Sequence, residues 1–104
     1  MLKDVPVNAI WVDKMGCFHG KLHKFECEYI LSHIVRMSQQ RGEWITEFSV
    51  EEYLKDFNSK PLKGGFPNYL NMLSNLGYLN LKASKRKIQI TQKFEMLCAE
   101  CANI

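Results

Sequence analysis

Residues 70–91, LNMLSNLGYLNLKASKRKIQIT, constrain the fold more than any other stretch of the chain. Leu70, Leu73 and Leu76 recur at helical spacing, so one face of a helix is expected to be buried. Gly77 follows, where a left-handed residue ends a helix at least cost. Beyond it, Leu79/Leu81 and Ile88/Ile90 alternate with Asn80/Lys82 and Gln89/Thr91, the period of a half-buried strand pair. The tip between the strands is Ala83-Ser84-Lys85-Arg86. The rest of the chain must pack around a helix that runs directly into a cationic hairpin.

The remaining sequence suits a single compact domain. A chain of 104 residues with 46% hydrophobic residues buries one core without extra staples. No apolar run approaches the ~20 residues of a membrane span, and the longest near the start is Ala9-Ile10-Trp11-Val12. Met1-Leu2-Lys3-Asp4 carries no signal-peptide apolar region, so export is not expected and a cytoplasmic location is. That means nucleoid-associated in a prokaryote, or inside the host cell for a viral protein. Four cysteines are too sparse for a secreted disulfide scaffold, and reduced thiols are the simpler account.

Charge is unevenly distributed. Residues 55–93 carry eight cations against the single anion Asp56, whereas residues 1–54 carry six cations against eight anions. The positive charge thus coincides with the helix-and-hairpin stretch, where a polyanion would be steered and held by counterion release. A solvated lysine face is the plain alternative.

Residues 1–23 read as an N-terminal arm and loop, and 24–104 as the domain proper. Val5 to Val12 is a strand or an arm, and Pro6 demotes it to an edge strand or a non-strand. The spacing predicts a first helix over about 24–41, with Cys27, Ile30, Leu31, Ile34 and Met37 as its apolar stripe, Glu28, Ser32 and Arg36 away from it, and Gly42 as its stop. Trp44 to Phe48 reads as a brief strand. Ser49-Val50-Glu51-Glu52 is a capping box that opens a helix of about 50–57 with Val50, Tyr53, Leu54 and Phe57 inward. Pro61 and the Gly64-Gly65 pair break the following segment, and Pro67 suits the first turn of a third helix. After the hairpin, Thr91 caps a last helix in which Phe94, Leu97, Cys98 and Cys101 fall at i, i+3, i+4 and i+7. The expected class is α+β, in the order α-β-α-α-β-β-α.

This order, the turn Leu73-Ser74-Asn75-Leu76-Gly77-Tyr78-Leu79 and the Ile90-Thr91 exit into a final helix resemble the winged helix-turn-helix superfamily, including small prokaryotic and viral regulators of the MarR and PadR kinds. The resemblance covers roughly residues 24–102. It implies duplex DNA binding as a homodimer, often through terminal helices.

On the third helix, Asn68, Asn71 and Asn75 share one face opposite the leucines. Each asparagine can both donate and accept, matching the major-groove edge of adenine, at ~1–3 kcal/mol of discrimination per good contact. Any surface helix also needs polar residues outside. Lys82, Lys85, Arg86 and Lys87 in the hairpin and Lys60 and Lys63 before the helix are candidate phosphate partners, with Tyr69 and Ser74 as neutral ones. Four to six such contacts would make log K fall with log[salt] at a slope of about −4 to −5. Trp11 and the last-helix stripe Phe94, Leu97, Cys98 and Cys101 are the expected dimer interface.

Cys17, His19, His23 and Cys27 with Cys98-x-x-Cys101 invite a zinc reading, but the spacing matches no recognised finger and three of the cysteines lie on apolar stripes, where they act as small hydrophobes. No metal or other cofactor is expected. His33 reads as a surface or interface histidine. No catalytic constellation emerges, so an enzyme is not expected. Two functions remain: a duplex DNA-binding regulator or replication or partition factor, and a winged-helix protein-interaction module such as a phage- or virus-encoded inhibitor of a host nucleoprotein complex. The aromatics Trp11, Phe18 and Trp44, if exposed, suit the second.

Overall fold

The computed structural model describes residues 4–10, 25–56, 66–82 and 86–102. They form a 3-10 turn (Val7–Ala9), then α1 (Phe25–Arg41), β1 (Glu47–Ser49), α2 (Val50–Asp56), α3 (Phe66–Asn75), β2 (Leu79–Lys82), β3 (Lys87–Ile90) and α4 (Gln92–Ala102). The expected element order holds. An N-terminal strand does not appear among the described residues. Pro6 starts a turn instead, closed by the Ala9 N–H donating to the Pro6 carbonyl at 2.9 Å.

The three strands form one antiparallel sheet in the order β1-β3-β2. Leu79 faces Ile90 and Leu81 faces Ile88 across the hairpin, while Phe48 of β1 faces Ile88 from the other side. These side chains line the core face, and the alternate positions Asn80, Lys82, Lys87 and Gln89 point outward, as the period of two requires. β1 starts later than the sequence suggests because Trp44 and Ile45 are engaged elsewhere. The Trp44 indole N–H donates to the Val5 carbonyl, and the Ile45 amide donates to the buried Ser38 hydroxyl.

α1 is the centre of the core. Ile30, Leu31, Ile34, Val35 and Met37 are all fully buried. Truncating one of them to Ala would cost roughly 2–5 kcal/mol through lost transfer energy and the cavity left behind. Glu28 and Ser32, expected away from the stripe, are buried too. The helix is enclosed on more than one side, by α2, α3 and the N-terminal turn. Ser38 is satisfied there, its hydroxyl donating to the Ile34 carbonyl.

Helix ends follow local chemistry. At Gly42 (φ +77°) and Gly77 (φ +88°) the chain turns left-handed. Each glycine amide donates to a carbonyl three residues back, and the next amide donates to one five residues back: Gly42 to Gln39 and Glu43 to Ser38, Gly77 to Ser74 and Tyr78 to Leu73. Both are Schellman caps. The Ser49 hydroxyl accepts from the Glu52 amide at 3.1 Å, forming half of the capping box. The other half is replaced, because the Glu52 carboxylate accepts from the Arg41 guanidinium at 3.0 Å and so ties α2 to α1. Val50 is half-buried and Tyr53 is fully buried, but Leu54 is 50% exposed, since a seven-residue helix presents only a narrow inner face. Phe57 lies outside the described residues.

Candidate nucleic-acid interface

α3 packs on α1 and β2 through Leu70 and Leu73, both buried. At about 100° per residue, Asn68, Asn71 and Asn75 fall within a 60° arc on the opposite side. Asn68 and Asn75 are exposed and Asn71 is half-buried. Met72 lies about 40° beyond Asn68, bordering this arc, and is half-buried against the core. Leu76, expected among the buried leucines, is 36% exposed. It falls just past the last helical residue and about 80° from Asn68, at the edge of the outer face. Tyr69 and Ser74 are half-buried, and Tyr69 packs against the core rather than standing out from the helix.

The junction between α3 and the hairpin is held from α4. The Thr91 hydroxyl shares its proton between the Gly77 and Tyr78 carbonyls, at 2.6 and 2.9 Å, and accepts from the Phe94 amide. Lys93 Nζ donates to the Leu76 carbonyl at 2.7 Å and lies 4.7 Å from the Tyr78 ring centroid. Lys93 therefore closes the C-terminal end of α3, where a cation also meets the negative end of the helix dipole. Its place in the basic stretch hid that role. The available signal was its position two residues after the capping Thr91.

Of the hairpin cations, Lys82, Arg86 and Lys87 are described and all are exposed. Lys82 and Lys87 are direct cross-strand partners, so like charges face each other at the base of the turn. Lys87 is partly neutralised, its Nζ lying 3.1 Å from the Glu47 carboxylate. The Arg86 carbonyl accepts from the Val50 amide, fixing this end of the hairpin to the start of α2. On the same outward sheet face, the Asn80 amide donates to Gln89. Lys60, Lys63 and Lys85 lie outside the described residues.

The proposed dimer stripe is corrected. Phe94, Leu97, Cys98 and Cys101 are all buried in the chain's own core. The outer side of α4 carries Met96 instead, 48% exposed. Trp11 lies outside the described residues, as does Phe18. Trp44 is not an exposed aromatic, being half-buried and bonded to Val5. Among the described residues no group of His, Cys, Asp and Glu could hold a metal ion. Cys27, Cys98 and Cys101 are core residues, and Cys17, His19 and His23 lie outside the described residues. Burial, together with Cys101 and Glu95 nearby, pushes the Cys98 thiol far up, which keeps it protonated and inert.

His33 is a packed histidine. Nδ1 and the Tyr53 hydroxyl share a hydrogen bond at 2.8 Å, and the Tyr29 ring meets the imidazole edge-on with centroids 4.1 Å apart. Burial, reinforced by the Arg36 charge, lowers its pKa to about 4.

These elements define a small α+β domain of helices around a three-stranded antiparallel sheet, compatible with a winged helix, and no described helix is long and apolar enough to cross a membrane. No protein-family model, curated relative or solved structure matches the chain.

Proposed function

We propose that this chain is a winged-helix protein that binds duplex DNA, as a transcriptional regulator or a replication or partition factor. α3 enters the major groove with Asn68, Asn71 and Asn75 toward base edges. The β2–β3 hairpin follows the flanking backbone through Lys82, Lys85 and Arg86. The observation that carries this reading is the continuity of the two parts. α3 leads through the Gly77 cap straight into the hairpin, and Thr91 and Lys93 hold the junction, so the asparagine face and the cations move as one body. Rigid elements of this kind suit a site that must match a groove.

The test is a salt-dependent titration against random duplex DNA. Lys82, Lys85 and Arg86 replaced together by Ala should weaken binding to every sequence and flatten the log K versus log[salt] slope by about 2.7, at about 0.9 per lost phosphate contact. Asn71→Ala should relax sequence preference, at ~1–3 kcal/mol per lost base contact, without changing that slope. Unchanged titrations for the triple variant would remove the hairpin from the interface.

One observation favours a second reading, in which the winged helix docks on protein, for instance as a phage- or virus-encoded inhibitor of a host nucleoprotein complex. Met72 and Leu76 introduce apolar area along the outer side of α3, and Glu47 offsets one of the hairpin lysines. Absence of any salt-dependent DNA binding by the wild-type chain would select this reading.

A further inference from the structure

Residues 4–10 are held in an unusual way. The Trp44 indole N–H donates to the Val5 carbonyl at 2.6 Å, and the Gln39 side-chain amide donates to the carbonyls of Val7 and Ile10 at 3.1 and 2.9 Å. Ile10 completes the anchor, 2% exposed in the main core. Each of these bonds joins a side chain of the domain to main-chain oxygens of the arm. Pro6, with its ring fixing φ at −57°, leads directly into the 3-10 turn Val7–Ala9 that presents these carbonyls. The face formed by Gln39 and Trp44 is thus a receptor already filled by a short peptide, of the kind in which a tryptophan N–H grips the carbonyl preceding a proline.

We infer that this receptor accepts the same arm from a second copy of the chain, so that two copies pair by exchanging residues 4–10. Exchange keeps the three hydrogen bonds above, because their donors lie on Gln39 and Trp44 and their acceptors within residues 4–10. Fourteen residues (11–24) separate Ile10 from Phe25. At no more than ~3.6 Å each they span up to roughly 50 Å, against a longest molecular extent of 33 Å. The connection is long enough to deliver the arm to a neighbouring molecule. Reciprocal exchange closes a two-fold dimer with two identical sites. The inference is independent of the DNA reading.

Complementation of full-length chains tests it. One variant keeps the receptor and spoils the arm (Pro6→Gly with Ile10→Ala). The other keeps the arm and removes the two donors (Gln39→Leu with Trp44→Phe, which leaves an aliphatic stem and an aromatic ring in place). Circular dichroism verifies that each is folded. Native mass spectrometry of the mixture at ~100 µM should show a heterodimer that neither variant forms alone. Its dissociation constant should weaken at least about tenfold when Pro6→Gly and Ile10→Ala are added to the arm-bearing chain. Wild-type chains with heavy and light isotopes, mixed at ~1 mM, give a second readout that needs no substitution, and mixed-label dimers are expected. No heterodimer together with monomeric wild type at 1 mM overturns the inference. So does an arm-spoiled chain that takes up a synthetic Val5–Ile10 peptide yet never pairs with the donor-less variant.

Discussion

Lys93 Nζ donates to the carbonyl of Leu76 at 2.7 Å, so the second residue of α4 closes the last turn of α3, seventeen positions earlier in the chain. A side chain that composition alone assigns to a basic surface is instead a cap, and its ammonium also faces the Tyr78 ring. The base of the hairpin is set by this contact and by the paired carbonyls on Thr91.

Lys93→Met keeps the aliphatic stem and removes the ammonium. It should cost about 1 kcal/mol in urea unfolding, the worth of an exposed charged hydrogen bond and a cation–π contact. If the chain binds DNA, the salt slope should stay at the wild-type value, whereas Lys82→Ala should reduce it by about 0.9. A Lys93→Met slope reduced to the same degree would make Lys93 a phosphate ligand rather than a cap.

The pH dependence of stability should carry the signature of His33. Its folded pKa is about 4, below the 6.5 of the unfolded ring, so the native state binds the proton more weakly. Above 6.5 both states are neutral and the His33 contribution is complete. As pH falls below 6.5 the unfolded chain takes up the proton first, and stability declines until about 4, where the native ring protonates as well. Denaturant titrations of wild type and His33→Gln should diverge at pH 7 and converge toward pH 4. Parallel curves would show that His33 titrates alike in both states.

Gly77→Ala isolates the backbone term at the α3 cap. With φ at +88° a side chain is strained there, yet the added Cβ would meet only the Lys93 Cδ at 3.5 Å, an ordinary contact. The loss should be about 1 kcal/mol, measurable as a lower urea midpoint at unchanged m-value, and Gly42→Ala, with nothing within 4 Å, should lose a similar amount. A much larger loss at Gly77 alone would mean that the junction with α4 moves.

Cysteine reactivity should follow burial. Cys27, Cys98 and Cys101 are enclosed in the core and the Cys98 thiol is pushed far up, so iodoacetamide should label their peptides only at the rate of global unfolding. Rapid native labelling of Cys98 or Cys101 would contradict the packing of α4.

Much of the fold was legible because its signals are local. Gly42 and Gly77 each act through hydrogen bonds spanning at most five residues, the Ser49 and Thr91 caps through bonds spanning three, and the strand alternation through neighbours on one face. The candidate site was legible to the same depth. The asparagine arc follows from helical spacing, and the outward placement of Lys82 and Lys87 from the period of the hairpin. Leu76 and Leu54 went the other way, because α3 ends one residue before Leu76 and the short α2 presents too narrow an inner face to cover Leu54.

Residue order by itself thus determined the order of the helices and strands and the glycine and hydroxyl caps at their ends, since each depends on chemistry within one or two turns of chain. Only the tertiary structure decided which faces were shared. It put Phe94, Leu97, Cys98 and Cys101 into the chain's own core instead of a subunit contact, enclosed Glu28 and Ser32 with α1, and paired Lys87 with Glu47. It also laid Val5, Val7 and Ile10 under Trp44 and Gln39, across separations of 29 to 39 residues. Contacts at that range depend on how whole elements stack, and an arm carbonyl looks the same in sequence whether a side chain reaches it or water does.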